Sequence, residues 1–145
     1  MMQIELINKI SYYLKRGKWA TQASGFWLDM SYAWLNDNIK PNTTLLDIGS
    51  SIGDTSVYFA TNPNVTKVLA YECNKKRYDD SMKVVSTSAI GQKIKFYNIV
   101  MDRDSLIDAL KTLSSNVAIK CDIDGGEIGL FDNVNMEKVY IAMLE

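Results

Sequence analysis

Five short apolar runs separated by longer amphipathic stretches restrict this chain to few folds. The runs are Thr44–Gly49, Lys67–Glu72, Ile94–Ile99, Val117–Asp122 and Val139–Leu144, each of a length suited to a buried strand. Parallel strands need crossovers between them and cover on both faces, so this alternation predicts an α/β fold with five parallel strands and helices on both sides of one sheet. Asp54–Thr61, Lys75–Ser86 and Ser105–Leu113 read as crossover helices, and Glu127–Asn133 as one or two helical turns. Ahead of this α/β core, residues 43–145, lies a segment, residues 1–40, expected to be helical. In it Ile4, Ile7, Ile10 and Leu14 recur at helical spacing, breaks fall at Gly17 and at Ser24-Gly25, and a second helix is predicted from Phe26 to Asn38. Pro41 and Asn42 mark the turn into the core.

The length of 145 residues fits a single domain, 1–145, with one substantial core. A net charge of -1 supplies no general field for nucleic acid or anionic membrane, so no nucleic-acid partner is expected. No apolar stretch approaches the ~20 residues of a bilayer span. The opening MMQIELINKI lacks the layout of a secretory signal, and Cys73 and Cys121 lack the spacing of a metal site or a disulfide framework. A cytoplasmic protein with core thiols is the expectation. Histidine is absent, so acid-base work falls to carboxylates, lysine or tyrosine.

Ligands of an open parallel sheet bind at the carboxyl ends of its strands. The first strand there runs into Asp47-Ile-Gly49-Ser-Ser51-Ile-Gly53. Glycines at 49 and 53 permit a tight turn and close approach of backbone to a ligand, and Asp54 or Thr55 is expected to cap the helix that follows. The loop lacks the middle glycine of the dinucleotide fingerprint, which argues against a pyrophosphate. The second strand ends in Glu72, where a carboxylate can accept both ribose hydroxyls of a nucleoside. Loop and acid together point to an adenosine-bearing cofactor, against the plainer reading of a structural turn and a solvated strand end. The fourth strand leads into Lys120-Cys-Asp122-Ile-Asp124-Gly-Gly-Glu127, which sets three carboxylates at the same end of the sheet.

These blocks resemble the FkbM family of S-adenosylmethionine (SAM) dependent methyltransferases. That family pairs a loop like Asp-Ile-Gly-Ala-Asn-Ile-Gly-Asp-Thr-Ser with a later Lys-Ile-Asp-Val-Glu-Gly-Ala-Glu. Asp47–Ser56 and Lys120–Glu127 align with both without gaps, and Tyr71-Glu72-Cys73-Asn74 is similar to the family's Phe-Glu-Pro-Asn. Asp124, Gly126, Ser51 and Cys73 stand where the family has Glu, Ala, Asn and Pro, and none of these exchanges removes a cofactor-facing carboxylate. The resemblance covers about residues 43–145 and implies a Rossmann-like methyltransferase fold with SAM as cofactor and O-methylation of a small-molecule or glycan hydroxyl.

By the same resemblance, Asp47 is cofactor-binding, and Gly49, Ser51 and Gly53 line the methionine and ribose portion of SAM. Glu72 holds the ribose hydroxyls, Asp122 faces the methionine end and Asp102 meets the adenine amino group. A hydroxyl acceptor needs a base, for which Asp122, Asp124 and Glu127 are candidates, with Glu127 preferred and Asp124 beside it. The three acids could alternatively hold a hard cation, or form only a turn and a helix start; no metal is expected. The family's sheet has seven strands, whereas Glu145 directly follows the fifth run, so an exposed edge and a homodimer through it are expected. A different class of function, a SAM-binding or fold-retaining assembly or regulatory protein without catalysis, fits the same observation. Trp19, Phe26, Trp27, Tyr32 and Trp34 read as packing aromatics rather than acceptor contacts. Lys9, Lys15, Arg16 and Lys18 read as a solvated helix face, and Lys75-Lys76-Arg77 as surface charge.

Overall fold

The structure is a computed structural model that describes residues 18–21, 26–86 and 90–145. Strands β3 (Thr43–Ile48), β4 (Val65–Tyr71), β5 (Ile94–Tyr97), β6 (Val117–Cys121) and β7 (Val139–Leu144) form one sheet in the order β5-β4-β3-β6-β7, with every pairing parallel. All five predicted strands are therefore present, within two residues of their expected bounds. The first strand sits at the centre, and the chain steps outward from it to one side through β4 and β5, then to the other through β6 and β7. That reversal of direction opens a crevice above the carboxyl ends of β3, β4 and β6.

Helices α2 (Asp54–Ala60), α3 (Lys75–Ser86) and α4 (Arg103–Thr112) supply three of the crossovers. The sheet is covered on both faces, and adjacent residues of one strand enter different cores. Leu45, Val68 and Ala118 join a cluster with Phe59 and Ala60 of α2, while Leu46, Leu69 and Ile119 join one with Leu106 and Leu110 of α4. Period-two alternation with apolar residues on both sides is why these strands read as continuous apolar runs. On its outer surface α3 carries Lys76–Asp80 and Lys83–Asp80 ion pairs at 3.2 and 3.1 Å, together with Lys75–Asp79, which suits a helix facing solvent. Helix α4 is held at both ends. Asp102 Oδ1 accepts from the Ser105 N–H at 2.8 Å, and Lys138 Nζ donates to the carbonyls of Leu110 and Leu113 at 2.9 and 2.6 Å.

Two expectations change. The helix predicted from Phe26 to Asn38 is split: Phe26–Asp29 forms strand β2, paired antiparallel with β1 (Lys18–Thr21), and only Met30–Asp37 is helical, as α1. Phe-Trp-Leu is a run with high strand preference, and over four residues apolar spacing cannot separate strand from helix. The remaining prediction of an N-terminal helix, at Ile4 to Leu14, falls outside the described residues. The helical turns predicted at Glu127–Asn133 are instead linked tight turns, in which Leu130, Asp132 and Val134 donate to the carbonyls of Glu127, Gly129 and Phe131. Gly129 adopts φ +80° within this stretch, a conformation that interrupts a right-handed helix. Among the described residues no helix is long and apolar enough to cross a membrane.

Candidate functional site

The loop after β3 is shaped by what lies beneath it. Gly49 and Ser50 both donate their N–H to the Tyr71 carbonyl, at 2.9 and 3.0 Å, and Gly53 N–H closes a turn on Ser50 O at 2.8 Å. Gly49 has φ +77°, and a Cβ there would lie 1.8 Å from the carbonyl oxygen of Asp122. Glycine is required because the loop after β3 crosses directly over the end of β6. At Gly53, φ +88°, a Cβ would press on Ser81 and Phe96 at 2.9 and 3.0 Å, so this glycine permits contact of the loop with α3 and β5. It also precedes α2 without a side-chain cap; Asp54 Oδ1 accepts from its neighbour Thr55 N–H, so neither expected cap occupies the cap position. Burial raises the Asp54 carboxyl above its ordinary pKa.

Asp47 is fully buried. One of its oxygens accepts from Thr55 Oγ1 and Ser56 Oγ at 2.7 and 2.6 Å, and the other faces Lys120 Nζ at 3.2 Å. Lys120, 1% exposed, also donates to the Gly49 carbonyl at 2.7 Å and lies over the Tyr32 ring, 5.7 Å from its centroid. Asp47 and Gly53, both expected to be cofactor-binding, support the loop from beneath and do not border the cavity above it.

That cavity, of about 670 Å³, has a volume within the range of small-molecule sites, roughly 300–1,000 Å³. Gly49, Ser51, Glu72, Asp102, Asp122 and Asp124 all contribute to its lining. Glu72 ends β4 almost buried, and its carboxylate receives Ser51 N–H on one oxygen at 2.9 Å and Asn74 N–H on the other at 2.7 Å. Ser51 adopts φ +51°, a conformation that turns its N–H onto Glu72. Asp122 accepts from the Tyr32 hydroxyl at 3.2 Å, and the same hydroxyl lies 3.0 Å from Glu145 Oε2. The β4 and β6 ends lie on either side of β3, so the Glu72 and Asp122 positions are about 10 Å apart, two strand spacings. Beyond β5, Ile99, Val100 and Met101 give an apolar wall that leads to Asp102, whose carboxyl is held below its ordinary pKa by the Ser105 N–H. Burial pushes the Tyr71 hydroxyl, also in the lining, up to about 12.

Glu127, expected as the preferred base, does not border the cavity: its Oε1 accepts from the Ile123 N–H at 2.6 Å, which fastens the turn that carries Asp124 and Gly125. A carboxylate four residues along a tight turn folds back on the backbone that precedes it. Asp124, by contrast, is exposed in the cavity wall with φ +53°. Several contributors went unmarked in the sequence reading. Lys120 was quoted only within a motif, although a lysine inside the otherwise apolar Val117–Cys121 demands a buried partner. Tyr32 was assigned to packing; it does pack, 6.3 Å from Phe59, and its hydroxyl also donates to Asp122. Arg103 and Ile128 also line the cavity and carried no distinguishing local signal; Arg77, read as surface charge, lines it too, as does Cys73, which is exposed rather than the core thiol expected. Among the described residues no group of three or more Cys, Asp or Glu side chains converges as a metal site would.

No protein-family model and no curated protein sequence matches the chain. Solved structures do. TrmK of M. capricolum in complex with S-adenosyl-homocysteine superposes with a TM-score of 0.62 at 16% identity, covering 81% of this chain and 51% of that one. An rRNA methylase from Streptococcus thermophilus gives 0.61 at 10% identity, covering 80% and 69%. Methyltransferase FkbM from Methylobacillus flagellatus KT gives 0.50 at 19% identity, covering 62% and 28%. The chain therefore spans about half the length of TrmK. At these identities the likeness establishes an α/β Rossmann-like fold, which the matched methyltransferases of more than one kind share.

Proposed function

We propose that this chain binds SAM in the cavity above β3, β4 and β6 and transfers its methyl group to a hydroxyl of a small molecule or glycan. The carrying observation is the arrangement of Glu72 and Asp122 on either side of the Gly49 crossing, in a cavity whose third wall is apolar. The residues present fit such a cofactor. The Gly49 crossing leaves no room for a side chain between the loop and β6, Glu72 retains lone pairs for a ribose diol, and Ile99, Val100 and Met101 contribute apolar lining for a purine, with Asp102 in the same wall. Gly49 and Ser51 border the ribose and methionine portion, and Asp122 the methionine end. The M. capricolum TrmK structure, with S-adenosyl-homocysteine bound in a similar fold, supports the choice of cofactor.

SAM supplies an electrophilic methyl group and a neutral leaving group. What the chain must add is alignment of the acceptor oxygen with that methyl, exclusion of water, and a base for the hydroxyl proton. With Glu127 turned into its own loop, the base falls to Asp122 or Asp124, both in the cavity wall. Their negative charge disfavours a phosphate backbone nearby, which supports a small-molecule or glycan acceptor over the RNA on which rRNA methylases act.

Calorimetry with SAM and S-adenosyl-homocysteine tests the first half, with binding expected in the micromolar range and none at millimolar concentration overturning it. Transfer of labelled methyl to panels of hydroxylated small molecules, glycans and tRNA tests the second. Transfer only to RNA would replace the acceptor, and binding without any transfer would leave a non-catalytic SAM-binding protein.

A further inference from the structure

The turns after β6 hold an exposed apolar side chain where turn chemistry favours other residues. Glu127–Leu130 is a tight turn closed by the Leu130 N–H on the Glu127 carbonyl at 3.2 Å, with Ile128 in its second position and Gly129, at φ +80°, in its third. Such positions favour Pro, Gly and small polar residues, so an isoleucine there, 90% exposed, gains nothing from the fold. Ile128 nevertheless lines the cavity, together with half-buried Ile123 and with Leu130, which is 3% exposed. The same wall carries Asp122 and Asp124. We propose that this wall is the acceptor subsite and that Ile128 is its specificity-determining residue, selecting an alcohol whose carbon skeleton next to the hydroxyl is apolar. The proposal rests on the reading of the cavity as a methyl-transfer site and narrows its acceptor.

The local structure holds that side chain in place. The Glu127 carboxylate on the Ile123 N–H fastens the start of the turn, and Leu130 roots its end in the core that contains Leu46 and Ile119. A Cβ at Gly126 would lie 2.8 Å from Ile123 Cδ1, so glycine there leaves Ile123 its position in the wall. The purine wall belongs to the loop after β5, which β4 and β3 separate from β6, so the two apolar surfaces serve different parts of the bound pair. From Asp122 to Leu130 the lining residues are aspartate, isoleucine, leucine and glycine. A sugar, with hydroxyls around its ring, would leave several of them unpaired against the aliphatic side chains, a costly exchange for hydrogen bonds to water. An alkyl or aryl alcohol instead sets its one hydroxyl at the carboxylates and its skeleton on Ile123 and Ile128. The surface is concave, and Arg77 and Arg103 share its lining with Asp102 and Asp124, a mixture of charge that suits a small molecule rather than an anionic bilayer.

NMR of isoleucine methyl groups reads the subsite directly, with the Ile128 signal assigned by its loss in Ile128→Ser. Titration with 1-butanol, 1-hexanol and 1-octanol should shift the Ile128 and Ile123 methyls, and affinity should rise about fourfold for each methylene buried. Glucose and maltose should leave these signals in place. Ile128→Ser, at an exposed turn tip, should fold as wild type does, weaken hexanol binding about tenfold and leave SAM affinity in calorimetry unchanged, while Ile128→Leu should keep hexanol binding. In the transfer assay Ile128→Ser should raise the KM for an alkyl alcohol by the same factor with little change in the KM for SAM. An equal response to sugars, affinity independent of chain length, or wild-type hexanol binding in Ile128→Ser overturns the proposal. So does a response to phosphatidylglycerol vesicles with none to free alcohols, which would make the turn a membrane contact. Failure of SAM to bind wild-type protein would remove the methyl-transfer reading, while the alcohol titrations would still decide whether the wall binds apolar alcohols.

Discussion

Two of the acids that border the cavity, Glu72 and Asp122, are held by different means. Glu72, on the β4 side, is fixed by backbone N–H groups of Ser51 and Asn74, within the loop and turn that its own strand pairing creates. Asp122, on the β6 side, has its side chain held by Tyr32, which is 90 residues distant in sequence and has a second partner. The β4 side thus holds its carboxylate through local backbone, and the β6 side through a side chain from a remote segment. Asp47 supplies the connection, since Lys120 beneath the loop joins it to the Gly49 carbonyl and passes under Tyr32.

The comparison breaks most readily at that connection. Lys120→Met should cost about 3–5 kcal/mol in chemical denaturation, because it leaves the Asp47 charge buried without its cation. Adding Asp47→Asn should recover part of that loss, and a double mutant as unstable as the single would show that the pair is not coupled. Gly49→Ala follows at roughly 2–4 kcal/mol, combining left-handed backbone with overlap against the Asp122 carbonyl. Both substitutions should disturb the two sides together. If either altered ligand affinity while stability stayed at the wild-type value, the loop and β6 would not be joined as described.

The β4 side was the more legible in sequence, for physical reasons. The Asp47–Gly53 loop, Glu72 and the helices at 54–61 and 75–86 are local features whose spacing is dictated by strand and turn geometry over short distances. Residues 75–86 form α3 to the predicted residue. The β6 side depends on contacts between remote segments. Nothing near Glu127 indicates that its carboxylate closes on Ile123 N–H, and the apolar spacing of Phe26 to Asn38 is silent on the β1 partner that makes Phe26–Asp29 a strand. Tyr32 shows the limit well. Its place among aromatics predicted burial correctly, but its hydroxyl partners are set by where α1 docks, which periodicity does not encode. Lys120 was legible in principle, since a cation in a buried strand must find an anion, and Asp47 is the acid of the neighbouring central strand.

Smaller perturbations sharpen the contrast. Glu72→Ala should weaken SAM binding by about 30- to 100-fold in calorimetry, the effect of losing hydrogen bonds to a charged acceptor worth about 2–3 kcal/mol. A loss under threefold would mean that Glu72 serves the Ser51 turn alone.

The smallest effect belongs to Asp102→Ala, which removes the cap of α4 and should lower the melting temperature slightly. Here the sign with pH is informative. The Ser105 N–H holds the Asp102 carboxyl below its ordinary pKa, so its contribution is complete above the ordinary aspartate range, near 3.9, and is lost as pH falls through the lower folded value. The difference in melting temperature between Asp102→Ala and wild type should therefore be constant near neutrality and shrink in acid. The same scan made with SAM present tests the second role. If Asp102 also meets the adenine, SAM should raise the melting temperature of wild type more than that of Asp102→Ala at neutral pH. Equal increments would assign Asp102 to the helix alone and leave the purine to the apolar wall of Ile99, Val100 and Met101.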